Sequence, residues 1–186
     1  ELNVANPIVG VVQGLRNTAD ATIKGFELDV IALPIPQLAF NASIGYLDGS
    51  YDEVRFDLSS DGVIDAADLA LSIPRLPKWT YTVGSTFDQE LGDFAVLSFR
   101  GEYSHRGKTF FTDNNIGTLP AYDVFNASIS LISMDEQWAL TFYGKNLSDE
   151  AIVQQNTTLP FGQFGAPRFS TLQKGRRWGL ELKYQY

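Results

Sequence analysis

Apolar and polar residues alternate strictly at the end of the chain, over residues 180–186. A period of two predicts a β-strand with one apolar face and one polar face. The apolar positions are Leu180, Leu182, Tyr184 and Tyr186, and the polar positions are Glu181, Lys183 and Gln185. The chain thus ends in an amphipathic strand that closes on an aromatic residue, and such a strand needs a docked neighbour to be stable.

The same alternation predicts six further strands upstream. They cover residues 21–31, 38–47, 79–87, 95–103, 124–131 and 138–145. The connections between the seven strands alternate in length. The short ones have four or five residues, at 33–37, 89–93 and 133–136, and the long ones have fifteen to thirty, at 48–77, 106–120 and 147–175. The sequence therefore predicts an all-β, antiparallel chain that has its short turns at one end and its long loops at the other.

This rhythm is typical of outer-membrane β-barrels. Structureless loops beyond about 12–15 residues are uncommon in compact domains, whereas membrane barrels combine short periplasmic turns with long extracellular loops. Seven strands are too few and odd in number for a typical bacterial barrel, which closes with an even number. We therefore expect residues 1–186 to be the C-terminal portion of one up-and-down transmembrane barrel, with its upstream strands absent.

The two faces of the predicted strands differ in chemistry. Aromatic residues near the strand ends are expected to form girdles at the membrane interface: Trp79, Trp138, Tyr184 and Tyr186. The polar face is expected to line a wide, wet lumen, and its members are Asn41, Ser43, Thr80, Thr82, Ser98, Arg100, Glu102, Asn126, Ser128, Lys145, Glu181 and Lys183.

Composition narrows the possibilities further. The 186 residues are 44% hydrophobic and 13% aromatic, but no run of eighteen apolar residues predicts a membrane-spanning helix. The absence of Cys excludes disulfides and most sites for soft metals. A net charge of −8 argues against nucleic acid as a partner. The first residue is Glu rather than Met, so we expect a processed chain or a fragment.

Four segments together resemble TonB-dependent outer-membrane receptors. Residues 17–29 look like the family's N-x-x-x-A-x-x-x-G-x-E strand, and residues 76–80 resemble its proline-led strand start. Residues 143–150 resemble its G-x-N-L-x-D segment, and residues 177–184 its C-terminal assembly signal. The chain departs from the family at Ile152 and at Tyr186, where an aromatic residue and Phe are usual. The family's plug and TonB-contacting box have no counterpart here.

The resemblance implies an importer in the outer membrane of a Gram-negative bacterium, and not an enzyme. Such receptors have about 22 strands around a plug. They take up scarce, bulky nutrients such as iron-siderophores, cobalamin or oligosaccharides. The implied partners are outer-membrane lipid, the nutrient ligand, the TonB complex through the absent plug, and the barrel-assembly machinery through the C-terminal strand. No catalytic residue or catalytic cofactor is expected.

The first long loop contains a twelve-residue pattern that resembles a calcium-binding loop, residues 57–68. The spacing of oxygen-bearing residues, with Gly62 at the sixth position, predicts a structural Ca²⁺ site. The predicted ligands are Asp57, Ser59, Asp61, the Val63 carbonyl, Asp65 and Asp68. Ser59 and Asp68 depart from the preferred residues at their positions. A helix over residues 66–71 is expected to follow. The alternative is an acidic, solvated loop held by Asx-turns.

Two further predictions concern the single histidine and the phenylalanines of the third long loop. His105 is the only histidine, so a transition-metal site is not expected. The third long loop carries Phe161, Phe164 and Phe169, which could contact a ligand but are expected to pack on neighbouring loops.

Two further function classes stay open at this stage. One is a passive outer-membrane porin, which would show the same alternation but carry no upstream plug. The other is a soluble, calcium-binding β-sandwich, which would cover one face of each sheet with the other sheet.

Overall fold

A computed structural model describes residues 2–6, 10–14, 17–158 and 168–185. The strands are β1 (Leu2–Asn6), β2 (Gly10–Gly14), β3 (Ala19–Ile35), β4 (Leu38–Val54), β5 (Trp79–Leu91), β6 (Ala95–Arg106), β7 (Thr109–Phe110), β8 (Thr118–Leu119), β9 (Tyr122–Ser133), β10 (Trp138–Lys145), β11 (Val153–Thr158), β12 (Arg168–Leu172) and β13 (Arg177–Tyr184). One short helix, α1 (Ala66–Leu69), lies between β4 and β5. In the described ranges no helix is long and apolar enough to cross a membrane.

Seven of these strands form one antiparallel sheet in the order β13-β10-β9-β6-β5-β4-β3. They are the seven strands that the alternation predicts, and each pairs with its neighbours along the chain apart from the small strands within the loops. The prediction of an up-and-down antiparallel meander is therefore confirmed. The remaining strands form three separate hairpins, β1–β2, β7–β8 and β11–β12.

The register aligns the strands so that each face is uniform across the sheet. One row of paired positions is apolar: Leu38, Phe87, Phe99, Ile129, Phe142 and Leu180. The adjacent row, one residue along each strand, is polar: Asp88, Ser98, Ser130, Thr141 and Glu181. We call these the outer face and the inner face. All twelve polar positions predicted to line the lumen lie on the inner face, because directly paired residues share a side of the sheet.

The outer face is left uncovered by the described part of the chain. Phe142 is 48% exposed and Leu182 is 72% exposed, although both lie on the face that should avoid water. Buried hydrophobic residues in the described ranges number three, Leu58, Ala95 and Ile152. A sandwich would cover this face with a second sheet. The uncovered apolar face is instead what is expected of a sheet that contacts lipid rather than water on this side.

Aromatic residues cluster at both ends of the outer face. At the loop end, the Trp79 ring lies 4.7 Å from Tyr46 and 6.0 Å from Phe26. At the turn end, Trp138 lies 5.9 Å from Phe94 and pairs in register with Tyr184. The predicted strand-end positions of Trp79, Trp138 and Tyr184 are confirmed, whereas Tyr186 lies outside the described residues.

The first two long strands are longer than the sequence predicts. β3 and β4 each have 17 residues, and only residues 36–37 form the turn that was expected over residues 33–37. The first long loop consequently starts at residue 55 rather than 48. Polar contacts hold the extension together: Thr22 Oγ1 donates to Asp52 Oδ2 at 2.6 Å, and Lys78 Nζ lies 2.7 Å from Asp48 Oδ1. Alternation of apolar residues could not reveal a strand built from such pairs.

The two faces predict opposite responses to the same substitution on neighbouring residues. Phe142→Arg places a charge on the apolar outer face and should lower the free energy of unfolding by about 2–4 kcal/mol in a bilayer. Thr141→Arg places it on the inner face and should change that free energy by less than about 1 kcal/mol, because the side chain reaches water. Denaturant titration of the protein in lipid vesicles measures the free energy of unfolding of both variants. Equal losses would contradict the assignment of the faces.

Candidate functional site

The three long connections, residues 55–78, 107–121 and 146–176, emerge at one end of the sheet and contact one another. The side-chain amide of Asn115 binds the Ser72 backbone twice, accepting from its N–H at 2.7 Å and donating to its carbonyl at 2.8 Å. Arg75 N–H donates to the Phe110 carbonyl at 2.8 Å. Asn156 Nδ2 donates to the Thr118 carbonyl at 3.1 Å. These bonds link all three connections into one layer, which we call the loop layer.

Below the loop layer, the inner face carries a charged depression of about 300 Å³. Arg100 and Glu102 form an ion pair at 3.1 Å on its floor, and Asn126 Nδ2 donates to Glu102 at 3.4 Å. Lys145 lies over the Tyr143 ring at 5.5 Å from its centroid. Exposed charges of this kind are tolerated on a wall that faces water and offer polar contacts to whatever occupies the lumen.

Asn146 organises the exit of β10 into the third connection. It is 5% exposed, and its side chain accepts from Glu150 N–H and donates to the Glu150 carbonyl, both at 2.9 Å. Its own N–H donates to Asn126 Oδ1 at 2.9 Å. Asp149 then accepts from Arg176 N–H at 2.8 Å, immediately before β13. The Asn and Asp of the sequence motif thus anchor a turn and attach the last strand.

Two motif glycines make room for aromatic rings. A Cβ at Gly179 would stand 2.5 Å from Tyr143 Oη, and one at Gly144 would stand 2.6 Å from the Trp178 ring. Gly144 and Trp178, and likewise Tyr143 and Gly179, are directly paired in the register of β10 and β13. Each ring therefore covers the glycine opposite it, on opposite faces of the sheet.

Residues 57–68 fold around two carboxylates. Asp57 accepts from Ser60 N–H at 2.6 Å and from Gly62 N–H at 2.8 Å. Asp68 is buried and accepts from Ser59 N–H at 2.7 Å and from Asp65 N–H at 3.0 Å. Asp61 and Asp65 accept from the N–H groups two residues on, those of Val63 and Ala67. The helix that follows is Ala66–Leu69, shorter than the predicted 66–71.

The hydrogen bonds explain the acidity of these two groups. Donation from Gly62 N–H, followed by Ser60 N–H, holds the pKa of Asp57 below its usual value of 3.8. Donation from Asp65 N–H, followed by Ser59 N–H, does the same for the pKa of Asp68. Both carboxylates are therefore charged at neutral pH and serve as the acceptors that shape the loop.

Calcium at this loop stays a prediction. The donor set consists only of oxygens, as Ca²⁺ requires, and a carboxylate that accepts N–H bonds keeps lone pairs for a cation. In the described ranges, however, no three His, Asp or Glu side chains are gathered closely enough to hold a metal ion. The observed contacts are those of the Asx-turn alternative.

The positions of His105 and of the phenylalanines of the third connection do not indicate a binding site. His105 Nδ1 lies 2.7 Å from Asp123 Oδ1, at the loop end of the outer face, and its ring stacks on Tyr81. Phe169 is 49% exposed, while Phe161 and Phe164 lie outside the described residues. Sequence reasoning missed the bridging role of Asn115, since an Asn in a polar loop carries no pattern of its own.

A family model described as "TonB dependent receptor-like, beta-barrel" matches residues 2–147. Among solved structures, the ferric yersiniabactin uptake receptor FyuA from Yersinia pestis has a TM-score of 0.77 at 13% identity, covering 91% of this chain and 24% of that one. The siderophore receptor PiuA from Acinetobacter baumannii has a TM-score of 0.70 at 19% identity, covering 90% and 22%.

The ferric preacinetobactin receptor BauA, also from Acinetobacter baumannii, has a TM-score of 0.64 at 15% identity, covering 90% and 22%. The chain thus spans about a quarter of the length of each of these structures. A comparison with curated proteins gives no match.

Protonation of the two loop carboxylates should disorder residues 57–68. Because the pKa of each is lowered by folding, their stabilisation is complete above the unfolded value of 3.8 and is lost as pH falls through the folded values. Hydrogen exchange of the loop amides, corrected for intrinsic rates, should show protection falling below about pH 3.8. Asp68→Asn should flatten this profile, whereas Asp93→Asn, in the turn after β5, should not. An unchanged profile in Asp68→Asn would contradict the assignment.

Calcium binding makes a separate prediction. If Ca²⁺ orders the loop, millimolar Ca²⁺ should slow its proteolysis in the wild type and not in the Asp57→Asn/Asp61→Asn double variant, because two ligands are lost. Mg²⁺ serves as the control cation. Proteolysis that is indifferent to Ca²⁺, or equally slowed in the double variant, would exclude the site.

Proposed function

The chain belongs to the TonB-dependent receptor β-barrel family, and on that premise we propose that it forms part of the wall and mouth of an outer-membrane receptor that imports a scarce, bulky nutrient. The observation that carries the proposal is the two-faced sheet, whose apolar face is uncovered and whose long connections all lie at one end. An uncovered apolar face is stable against lipid, and a polar face against a water-filled lumen.

Iron-siderophores are the favoured class of nutrient, ahead of cobalamin and oligosaccharides. The names of the three similar structures each specify a siderophore or its ferric complex. Their identities of 13–19% establish the fold alone, so the names support the ligand class only as a proposal. The loop layer offers a large recognition surface, as a bulky chelate requires.

Import by such a receptor is a matter of binding and passage, not of bond-breaking. Among the described residues, the inner face presents an Arg–Glu ion pair, amides and hydroxyls, without a nucleophile held next to a base. We propose that the energy comes from the inner-membrane TonB complex through a plug contributed by another part of the receptor. That coupling distinguishes the proposal from a passive porin, which needs neither plug nor TonB.

The two outermost strands of the described sheet, β3 and β13, each pair on one side only. In a closed barrel, the free edge of each would pair with a strand from another part of the same receptor. We propose that β13, with its outward Leu180, Leu182 and Tyr184, is also the segment that the barrel-assembly machinery recognises.

Uptake by whole cells tests the function. Deleting the gene should abolish uptake of one member of a panel of ⁵⁵Fe-loaded siderophores under iron limitation, and the plasmid-borne receptor should restore it. Removing TonB should abolish uptake as completely as deleting the receptor, since transport is energised.

Two outcomes would contradict the proposal. Uptake that continues without TonB indicates a passive channel. Recovery of the receptor in the soluble fraction without detergent indicates a soluble sandwich, because a barrel wall with this outer face requires detergent.

A further inference from the structure

A second cavity, of about 240 Å³, lies between the three connections of the loop layer and the loop end of the inner face. Arg75 comes from the first connection, Thr109 from the second, and Gln154 and Gln173 from the third. Arg106 reaches it from the end of β6, on the inner face, since it pairs in register with Thr80. The cavity therefore borders the inner face of the sheet, next to the loop layer.

Donors dominate the lining of this cavity. Two guanidinium groups, two side-chain amides and the Tyr122 phenol line it, and no Asp or Glu does. Neither Arg75 nor Arg106 forms an ion pair with any described residue. Residues 159–167 of the third connection also contain no acidic residue. In a chain of net charge −8, two uncompensated arginines at one cavity are an unusual concentration of positive charge.

Thr109 lines both this cavity and the neighbouring one, and its hydroxyl is an independent observation that favours a polar ligand. It is 4% exposed, and its Oγ1 has no hydrogen-bond partner within the described structure. A buried hydroxyl without a partner destabilises a protein, and such groups are uncommon in native structures. An anionic oxygen in the cavity would accept a hydrogen bond from this hydroxyl and remove the penalty.

The walls of the cavity are held in place before any ligand arrives. The Arg75 guanidinium stacks on Phe111, 4.5 Å from the ring centroid, and Arg75 N–H binds the Phe110 carbonyl. Gln173 N–H donates to the Ile152 carbonyl at 2.9 Å. Asn115 fixes the second connection to the first, as described above. A guanidinium held in this way loses less side-chain entropy on binding than a free one.

We propose that this cavity binds an oxyanion group, a carboxylate or a phosphate, with Arg75 and Arg106 as its charged donors and Thr109 Oγ1 as its buried donor. Planar guanidinium groups suit both oxyanions through paired N–H bonds. Ligand pockets for whole small molecules are about 300–1,000 Å³, so a cavity of about 240 Å³ takes one group of a larger ligand. The inference deepens the proposed function, on which its place in nutrient recognition rests.

Titration of the purified, detergent-solubilised receptor with probe anions tests the site. Citrate and inorganic phosphate are the probes, and maltose is the neutral control. Citrate or phosphate should bind the wild type and maltose should not. Arg75→Gln and Arg106→Gln should each weaken binding about tenfold or more, because each removes a charge-assisted hydrogen bond. Citrate binding without phosphate binding assigns the site to carboxylates, and the reverse assigns it to phosphates.

Two further variants separate a built site from general electrostatics. Lys108→Gln removes a positive charge two residues from Arg106 but outside this cavity, and should leave anion binding unchanged. Thr109→Val keeps the shape and removes the buried hydroxyl, so it should weaken binding without lowering the melting temperature of the free receptor.

The inference is overturned if Arg75→Gln/Arg106→Gln binds citrate and phosphate as the wild type does, if Lys108→Gln weakens binding as much as either arginine variant, or if no anion binds the wild type. These outcomes are independent of the uptake assay. Arginine-dependent anion binding by a receptor whose uptake needs no TonB would leave the site standing and refute energised import. If instead uptake depends on TonB, and both arginine variants change neither uptake nor anion binding, energised import stands and the anion site is refuted.

Discussion

The antiparallel register of the seven-stranded sheet is the constraint on which the other features depend. Side chains alternate with a period of two, so a slip of one residue in any strand would move its apolar set to the inner face. The register keeps Phe87, Phe99 and Phe142 in one row, and it places Tyr143 over Gly179 and Trp178 over Gly144. A strand that slipped would collide with those rings, so the motif glycines help to fix the alignment.

The loop layer is organised by different forces, because it has almost no apolar core. Among the described residues, buried hydrophobic side chains in the loops are only Leu58 and Ile152. Side-chain amides and carboxylates replace them as the elements that join separate segments: Asn115 to Ser72, Asn156 to Thr118 and Asp149 to Arg176. Each bond is modest in water, but together they hold segments far apart in sequence at fixed distances around the cavity.

The loop of residues 57–68 shows why the residue spacing of a calcium-binding loop is hard to distinguish from that of a loop held by its own hydrogen bonds. The spacing that would present oxygens to Ca²⁺ is also the spacing at which Asp57 and Asp68 accept backbone N–H groups. Both arrangements use the same short, polar side chains in a tight turn. The cavity that contains Arg75 and Arg106 is the converse case, since its residues come from distant segments that no spacing rule connects.

The sequence by itself determined the seven strands and their two faces, because both follow from a local period of two. It also determined the antiparallel order and the sidedness of the turns, because short and long connections alternate along the chain. Only the tertiary structure decided how far β3 and β4 continue beyond their apolar stretch, where Thr22, Asp52, Lys78 and Asp48 pair across the extension. It also decided which loop residues meet. Arg75, Arg106 and Thr109 converge through contacts between segments, and such contacts leave no periodic trace in the sequence.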